Sequence, residues 1–211
     1  GRTLDIAAAT PSSGITGGEV NIKNASKLTL ENEATNTAKV VMSDGTASTL
    51  EVKGANTKYI TSTGTNLATG TVTVGDGTNT SKLNVSNDGK IASAVTLNLK
   101  SGSEINIDGT TGADVTVNAG DDWSGTINQT NGTLTVLDDI SKTGVINSTG
   151  GTLNIGVGAT ASTLNVNNGS DVIAKGTQVT IQSNSEMKQT AGSVTLDNDD
   201  QIGRASCRER V

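Results

Sequence analysis

Gly132-Thr133-Leu134-Thr135-Val136, Gly151-Thr152-Leu153-Asn154-Ile155 and Ser162-Thr163-Leu164-Asn165-Val166 repeat one phrase. Two apolar residues stand at i and i+2 with a small polar residue between them. Alternation at period two is the mark of a strand with one buried face and one wet face. Working outward, the same pairing recurs toward the N-terminus at Val20/Ile22, Leu28/Leu30, Val40/Met42, Leu50/Val52, Val72/Val74, Leu83/Val85, Val95/Leu97, Ile105/Ile107 and Val115/Val117. Toward the C-terminus it returns at Val179/Ile181 and Val194/Leu196. Twelve of these 14 pairs enclose Asn or Thr, so the wet face is polar but rarely charged.

Spacing arranges the strands. Most pairs start 10–12 residues after the last, or about twice that, and Ile60, Ile127 and Ile146 are weaker apolar positions inside the long gaps. A quasi-period of about 20 residues holding two or three short strands signals a solenoid. One coil cannot bury its own apolar side, but stacked coils cover each other. The expected fold is all-β, a right-handed parallel β-helix with roughly 20 residues per coil. About ten coils at ~4.8 Å each would form a rod roughly 50 Å long.

The corners suit this reading. Asp44-Gly45, Asp76-Gly77, Asp88-Gly89, Asp108-Gly109, Asn131-Gly132 and Asn168-Gly169 supply residues that tolerate positive φ. The same dipeptides also mark hairpins, so an antiparallel β-sandwich is the competing fold. Against it stand the short strands and the shortage of large core residues, since Tyr59 and Trp123 are the only aromatics.

Composition narrows the chemistry. The 211 residues include 34 Thr, 26 Gly, 21 Asn and 20 Ser, and 32 of the 45 Leu, Val and Ile residues are β-branched. This material suits half-buried strands better than helices. There is no His, which removes Ser–His–Asp and Cys–His catalysis and His-ligated metal sites. A net charge of −6 with 1% aromatic residues offers neither the basic footprint nor the stacking platforms of a nucleic-acid binder. No apolar run approaches the ~18 residues of a membrane helix.

The last eleven residues break the pattern. Gln201-Ile-Gly-Arg-Ala-Ser-Cys-Arg-Glu-Arg-Val211 holds three of the four Arg and the only Cys. A reverse translation of this string resembles a common sequencing adapter. The expected organisation is therefore a leading segment at 1–17 at the solenoid's edge, a β-helical repeat region at 18–200, and a non-native tail at 201–211. Residues 202–211 are the adapter-derived part, and Cys207 then carries no functional weight.

The runs quoted above, with Gly192-Ser193-Val194-Thr195-Leu196, resemble the passenger regions of Gram-negative autotransporters and of filamentous-haemagglutinin-type surface proteins. The resemblance covers most of residues 18–199. It implies a right-handed parallel β-helix displayed at, or released from, the bacterial cell surface. Low Cys content suits export through an outer-membrane pore, and residues 1–200 contain none.

Several residue groups could carry chemistry. Asp121-Asp122 is the best catalytic candidate, because β-helical polysaccharide hydrolases use clustered carboxylates across the glycosidic bond. Adjacent strand residues face opposite ways, however, and a solvated corner is the plainer reading. Trp123 and Tyr59 could stack on sugars, but single aromatics more often cover a coil edge or cap a loop. Asp197-Asn198-Asp199-Asp200 and Asp76-Gly77-Thr78-Asn79 are oxygen-rich, yet neither completes a calcium loop. Sequons fall at Asn24, Asn79, Asn84, Asn128, Asn131, Asn147 and Asn168, in a chain where chance supplies several. Thr71-Val72-Thr73 and Thr133-Leu134-Thr135 hint at a flat threonine array, but Asn84, Asn106, Asn154 and Asn165 interrupt it.

The expectation is a structural stalk or passenger segment of a secreted or cell-surface bacterial adhesin-like protein. It presents binding surfaces without catalysis and has no catalytic, cofactor or metal residues. Its partners would be receptors or glycans on host or neighbouring cells. No nucleic-acid binding or membrane insertion is expected, and end-to-end self-association is. A polysaccharide-processing β-helix enzyme is the alternative from another class.

Overall fold

The computed structural model describes residues 3–7, 18–31, 35–42, 49–53, 57–61, 64–78, 80–86, 88–108, 112–118, 121–137, 139–142, 144–157, 161–166 and 171–196. Every strand pairing among them is parallel, and none of them is helical. The chain winds through three faces in a fixed order. One coil runs from the strand Val95–Leu99 on the first face to Glu104–Ile107 on the second and Asp114–Val117 on the third. The next coil then begins at Asp122–Trp123. The second and third faces are each eight strands deep among the described residues. At ~4.8 Å per strand that depth is about 34 Å.

This is a parallel β-solenoid, and it excludes the antiparallel sandwich. Asn131-Gly132 does turn the chain, with Gly132 at φ 74°. The strands it joins lie on different faces, and each pairs with a strand one coil away. At Asp88-Gly89 the expectation of positive φ fails, because Gly89 is absent from that region. It is needed for space instead: a β-carbon there would lie 2.4 Å from Thr61 Oγ1.

The coil length varies. Thr133 pairs with Thr152, whereas Thr152 pairs with Gln178, and the second of these coils is clearly the longer. The short strands stay in register while the corners absorb the difference. Many coils are longer than the sequence period suggests, so among the described residues the second and third faces hold eight strands each and not ten. In the leading segment expected at the solenoid's edge, Thr3–Ala7 pairs with Lys27–Glu31.

The recurring apolar pairs, with Ile127 and Ile146, supply the core. Leu28, Leu50, Val72 and Leu97 stack on the first face, and Leu83, Ile105, Ile127 and Ile146 on the second. Val115, Leu134, Leu153 and Val179 stack on the third. All are buried, and burial of each such side chain stabilises the fold by about 1.5–3 kcal/mol. At the C-terminal end the cover thins: Val194 is half-buried and Leu196 is 36% exposed.

Ile60 departs from expectation. Its strand is Lys58-Tyr59-Ile60, and Tyr59 is the residue in register with Leu83. Tyr59 is therefore fully buried in the core, not at a coil edge, and Ile60 faces outward. The phenol donates to the Ala38 carbonyl at 3.0 Å and lies 3.4 Å from Thr65 Oγ1. Burial raises its pKa from 10.0 to about 12, with the Thr65 contact opposing the shift.

Candidate functional site

The catalytic candidate comes apart at a break in the first face. Six strands of that face end at Asp122–Trp123, and three more begin at Asp139–Lys142, with no pairing between the two sets among the described residues. Asp121 sits at the end of the first set and is 2% exposed. Its Oδ1 accepts from the Leu97 backbone N–H at 2.7 Å and its Oδ2 from the Asn118 N–H at 2.7 Å. The carboxylate thus takes the place of strand carbonyls where the ladder stops. The solvated corner expected here is, for Asp121, a buried backbone clamp. Asp122 points outward and pairs with Lys100 on the preceding coil. The two carboxylates face opposite sides of one strand, so this pair cannot straddle a single glycosidic bond.

Trp123 also turns inward. It is 4% exposed, belongs to the hydrophobic core, and donates from Nε1 to the Gly125 carbonyl at 3.1 Å. Its space comes from a column of small residues at one corner. Thr57, Ser81 and Ser103 fill that column on earlier coils, and Gly125 and Gly144 follow them. A β-carbon on Gly144 would lie 2.0 Å from the indole nitrogen. Neither aromatic presents a ring face for stacking on a sugar.

Of the oxygen-rich stretches, residues 197–200 and Asn79 lie outside the described residues. Asp76 forms a local turn, its Oδ1 accepting from the Thr78 N–H and hydroxyl at 2.9 and 2.8 Å. No group of three His, Cys, Asp or Glu able to hold a metal ion occurs among the described residues. Asp114 is a half-buried carboxylate whose pKa burial raises, against the opposing charge of Lys90 in the neighbouring strand. Its buried Oδ1 has no hydrogen-bond partner among the described residues.

The threonine array stays incomplete in three dimensions. Thr133 and Thr135 align with Asp114 and Thr116 on one side and with Thr152 and Asn154 on the other. Thr71 and Thr73 align with Thr49 and Glu51, then with Thr96 and Asn98.

The most regular polar feature is one the sequence reading did not assemble. Asn84, Asn106, Asn128 and Asn147 form a single outward column on the second face. Asn106 Nδ2 donates to Asn84 Oδ1 at 2.8 Å, Asn128 Nδ2 to Asn106 Oδ1 at 2.9 Å, and Asn147 Nδ2 to Asn128 Oδ1 at 3.1 Å. Three of the seven sequon asparagines, Asn84, Asn128 and Asn147, are thereby held in an amide ladder. A signal was present in the sequence: Asn follows an inward apolar residue at Leu83, Ile105, Ile127 and Ile146, at intervals of 22, 22 and 19 residues.

A second polar device is internal. Gln129 and Ser148 occupy inward positions aligned with Ile107 and Ala174. Gln129 Nε2 donates to the Gly132 and Thr152 carbonyls at 3.0 and 2.9 Å, and Ser148 donates to Gln129 Oε1 at 2.9 Å. Ser148 Oγ also lies 2.7 Å from Thr177 Oγ1. Buried polar groups are tolerated when satisfied in this way. On the surface, Lys27–Glu51, Lys39–Glu19 and Lys82–Glu104 are paired at 2.8–3.0 Å, each joining neighbouring coils.

The site residues therefore act mainly on the next coil of the chain. The chain matches no protein-family model, no curated protein and no solved structure. The architecture alone assigns it to the parallel β-solenoids.

Proposed function

We propose that this chain is shaft: a segment of a secreted or cell-surface bacterial adhesin-like repeat protein that presents binding surfaces without catalysis. One observation carries the reading. The catalytic candidates Asp121 and Asp122, and the four ladder asparagines, are engaged in joining coil to coil. Such a column is stiff because every coil is clamped by its neighbours, and stability accumulates along it. The likeness of its strand phrase to autotransporter and haemagglutinin-type passengers supports a surface location. The acidic, Thr- and Asn-rich exterior suits a rod held in water.

The test exposes purified protein to immobilised glycans, to whole cells and to pectin-type polysaccharides. The shaft reading expects saturable binding, or none, with no release of reducing ends. Release of reducing ends that is lost in Asp122→Asn would overturn it in favour of a polysaccharide-processing enzyme. Location is tested by protease shaving of intact cells that express the parent gene. Loss of the β-solenoid antigen from intact cells is expected, and its full protection would contradict surface display.

A further inference from the structure

The amide ladder does not stand alone on its face. In coil order, its column reads Ile60, Asn84, Asn106, Asn128, Asn147, Ile173, and Thr195 follows on the last strand. The first six face outward and are half-buried. From Ile60 to Ile173 the column reads the same in either direction. The column beside it reads Lys58, Lys82, Glu104, Thr126, Val145, Asp171. Over this stretch it runs from a cation to an anion; Thr35 precedes Lys58, and Ser193 follows Asp171 and donates to its Oδ1 at 2.7 Å, which leaves Oδ2 for a second partner.

A surface of this kind fits itself. A two-fold interface requires one patch to be complementary to its own reversed copy. Consider a two-fold axis running along the strands, midway between the coils of Asn106 and Asn128. It leaves positions along the strand unchanged and reverses coil order. Ile60 then meets Ile173 of the second copy, Asn84 meets Asn147, and Asn106 meets Asn128. In the neighbouring column Lys58 meets Asp171, Lys82 lays its stem against Val145, and Glu104 meets Thr126. No like charges are opposed in either column, and the Lys58–Asp171 contact occurs twice.

We propose that this face docks a second copy of the chain, antiparallel and ladder to ladder. The hydrogen-bond inventory allows it. A side-chain amide offers two N–H groups and two acceptor sites, and Asn106 and Asn128 each use one of both along the column. The remainder can interlock with a facing amide, as in paired sheets carrying Asn ladders. A second copy also has the same coil spacing by identity, so the contacts stay in register along the whole ladder. The matched stretch spans six of the face's eight described strands, each of about four residues, roughly 400 Å² per copy. That is about half the usual ~800 Å² per partner, so the dimer is weak and forms with rising concentration. The proposal does not rest on the surface-shaft reading.

Sedimentation over a concentration series tests it, using the full chain with Cys207→Ser to remove disulfide dimers. The wild-type face is expected to give a monomer–dimer equilibrium. Lys58→Glu and Asp171→Lys each turn two attractions into repulsions and weaken the dimer roughly tenfold, a change of about 1.4 kcal/mol. The double variant Lys58→Glu/Asp171→Lys restores it. Asn106→Lys with Asn128→Lys abolishes it, and if that variant fails to fold, the peripheral charge exchange still decides. A chain that stays monomeric throughout would overturn the proposal. So would a dimer indifferent to the charge exchange, or one lost only in Leu196→Lys, which is the mark of end-to-end joining. Failure of these variants leaves binding to cells or glycans untouched, so the two readings fall separately.

Discussion

The Asp121 carboxylate reaches across one coil to the Leu97 backbone nitrogen, 2.7 Å away, and completes a strand that the main chain leaves unfinished. The interaction lies where the pairing of Val95–Leu99 with the short strand Asp122–Trp123 runs out, since only Asn98 and Leu99 are matched there. A buried N–H without an acceptor is costly, so the short strand is tolerated because a side chain supplies the acceptor that Leu97 would otherwise lack.

Asp121→Ala strips acceptors from two backbone N–H groups, of Leu97 and Asn118. It should cost about 2–4 kcal/mol, since bonds to a charged acceptor are the stronger kind. Asp122→Asn touches only an exposed ion pair and should cost less than about 1 kcal/mol. Denaturant unfolding followed by the fluorescence of Trp123, the single Trp, reads both. Equal costs would contradict the assignment of the two carboxylates to opposite sides.

Tyr59 links stability to alkaline pH. Burial favours its neutral form and raises its pKa from 10.0 to about 12. Above pH 10 the unfolded chain releases the phenol proton while the folded chain keeps it. The contribution is thus complete below pH 10 and is lost as pH rises toward 12. Because Tyr59 is the only Tyr, tyrosinate absorbance titrates this one site. Tyr59→Phe should cost about 1 kcal/mol at neutral pH, from the Ala38 carbonyl it leaves without its donor, and should remove this loss above pH 10.

Gly144 and Trp123 should be strongly coupled. Gly144→Ala places a β-carbon against the indole and should cost about 1–3 kcal/mol through overpacking. In a Trp123→Leu background the same substitution should cost far less. A double-mutant cycle checks this, and additive costs would place the indole elsewhere.

The ladder asparagines should differ by position. Asn106 both donates to Asn84 and accepts from Asn128, whereas Asn147 donates to Asn128 at the end of the run. Asn106→Ala should cost about 1 kcal/mol and Asn147→Ala about half that, because these half-buried amides exchange partners with water. Thermal unfolding of the two variants gives the comparison.

The core was legible because inward residues announce themselves at period two. Leu28, Ile105 and Leu153 are buried as the phrase predicts. Tyr59 and Ile60 show where the rule fails. In the short strand from Lys58 to Ile60, two apolar neighbours compete for one inward slot, and only register with Leu83 decides. Asp121 was illegible for another reason. Its role depends on how short the strand Asp122–Trp123 is, and a strand's length leaves no local pattern. The amide ladder lay between these cases: each Asn was visible, but coils of unequal length hide which positions share a column. The corners absorb that variation, and their lengths follow no sequence rule.

The parallel, coil-to-coil register is the claim on which the rest depends, and nuclear Overhauser effects between backbone protons test it directly. The account predicts parallel-strand contacts linking Ile105 to Ile127 and Ile127 to Ile146, one coil apart each time. Antiparallel contacts between Thr126–Gln129 and Thr133–Val136, closing a hairpin at Asn131-Gly132, would contradict it.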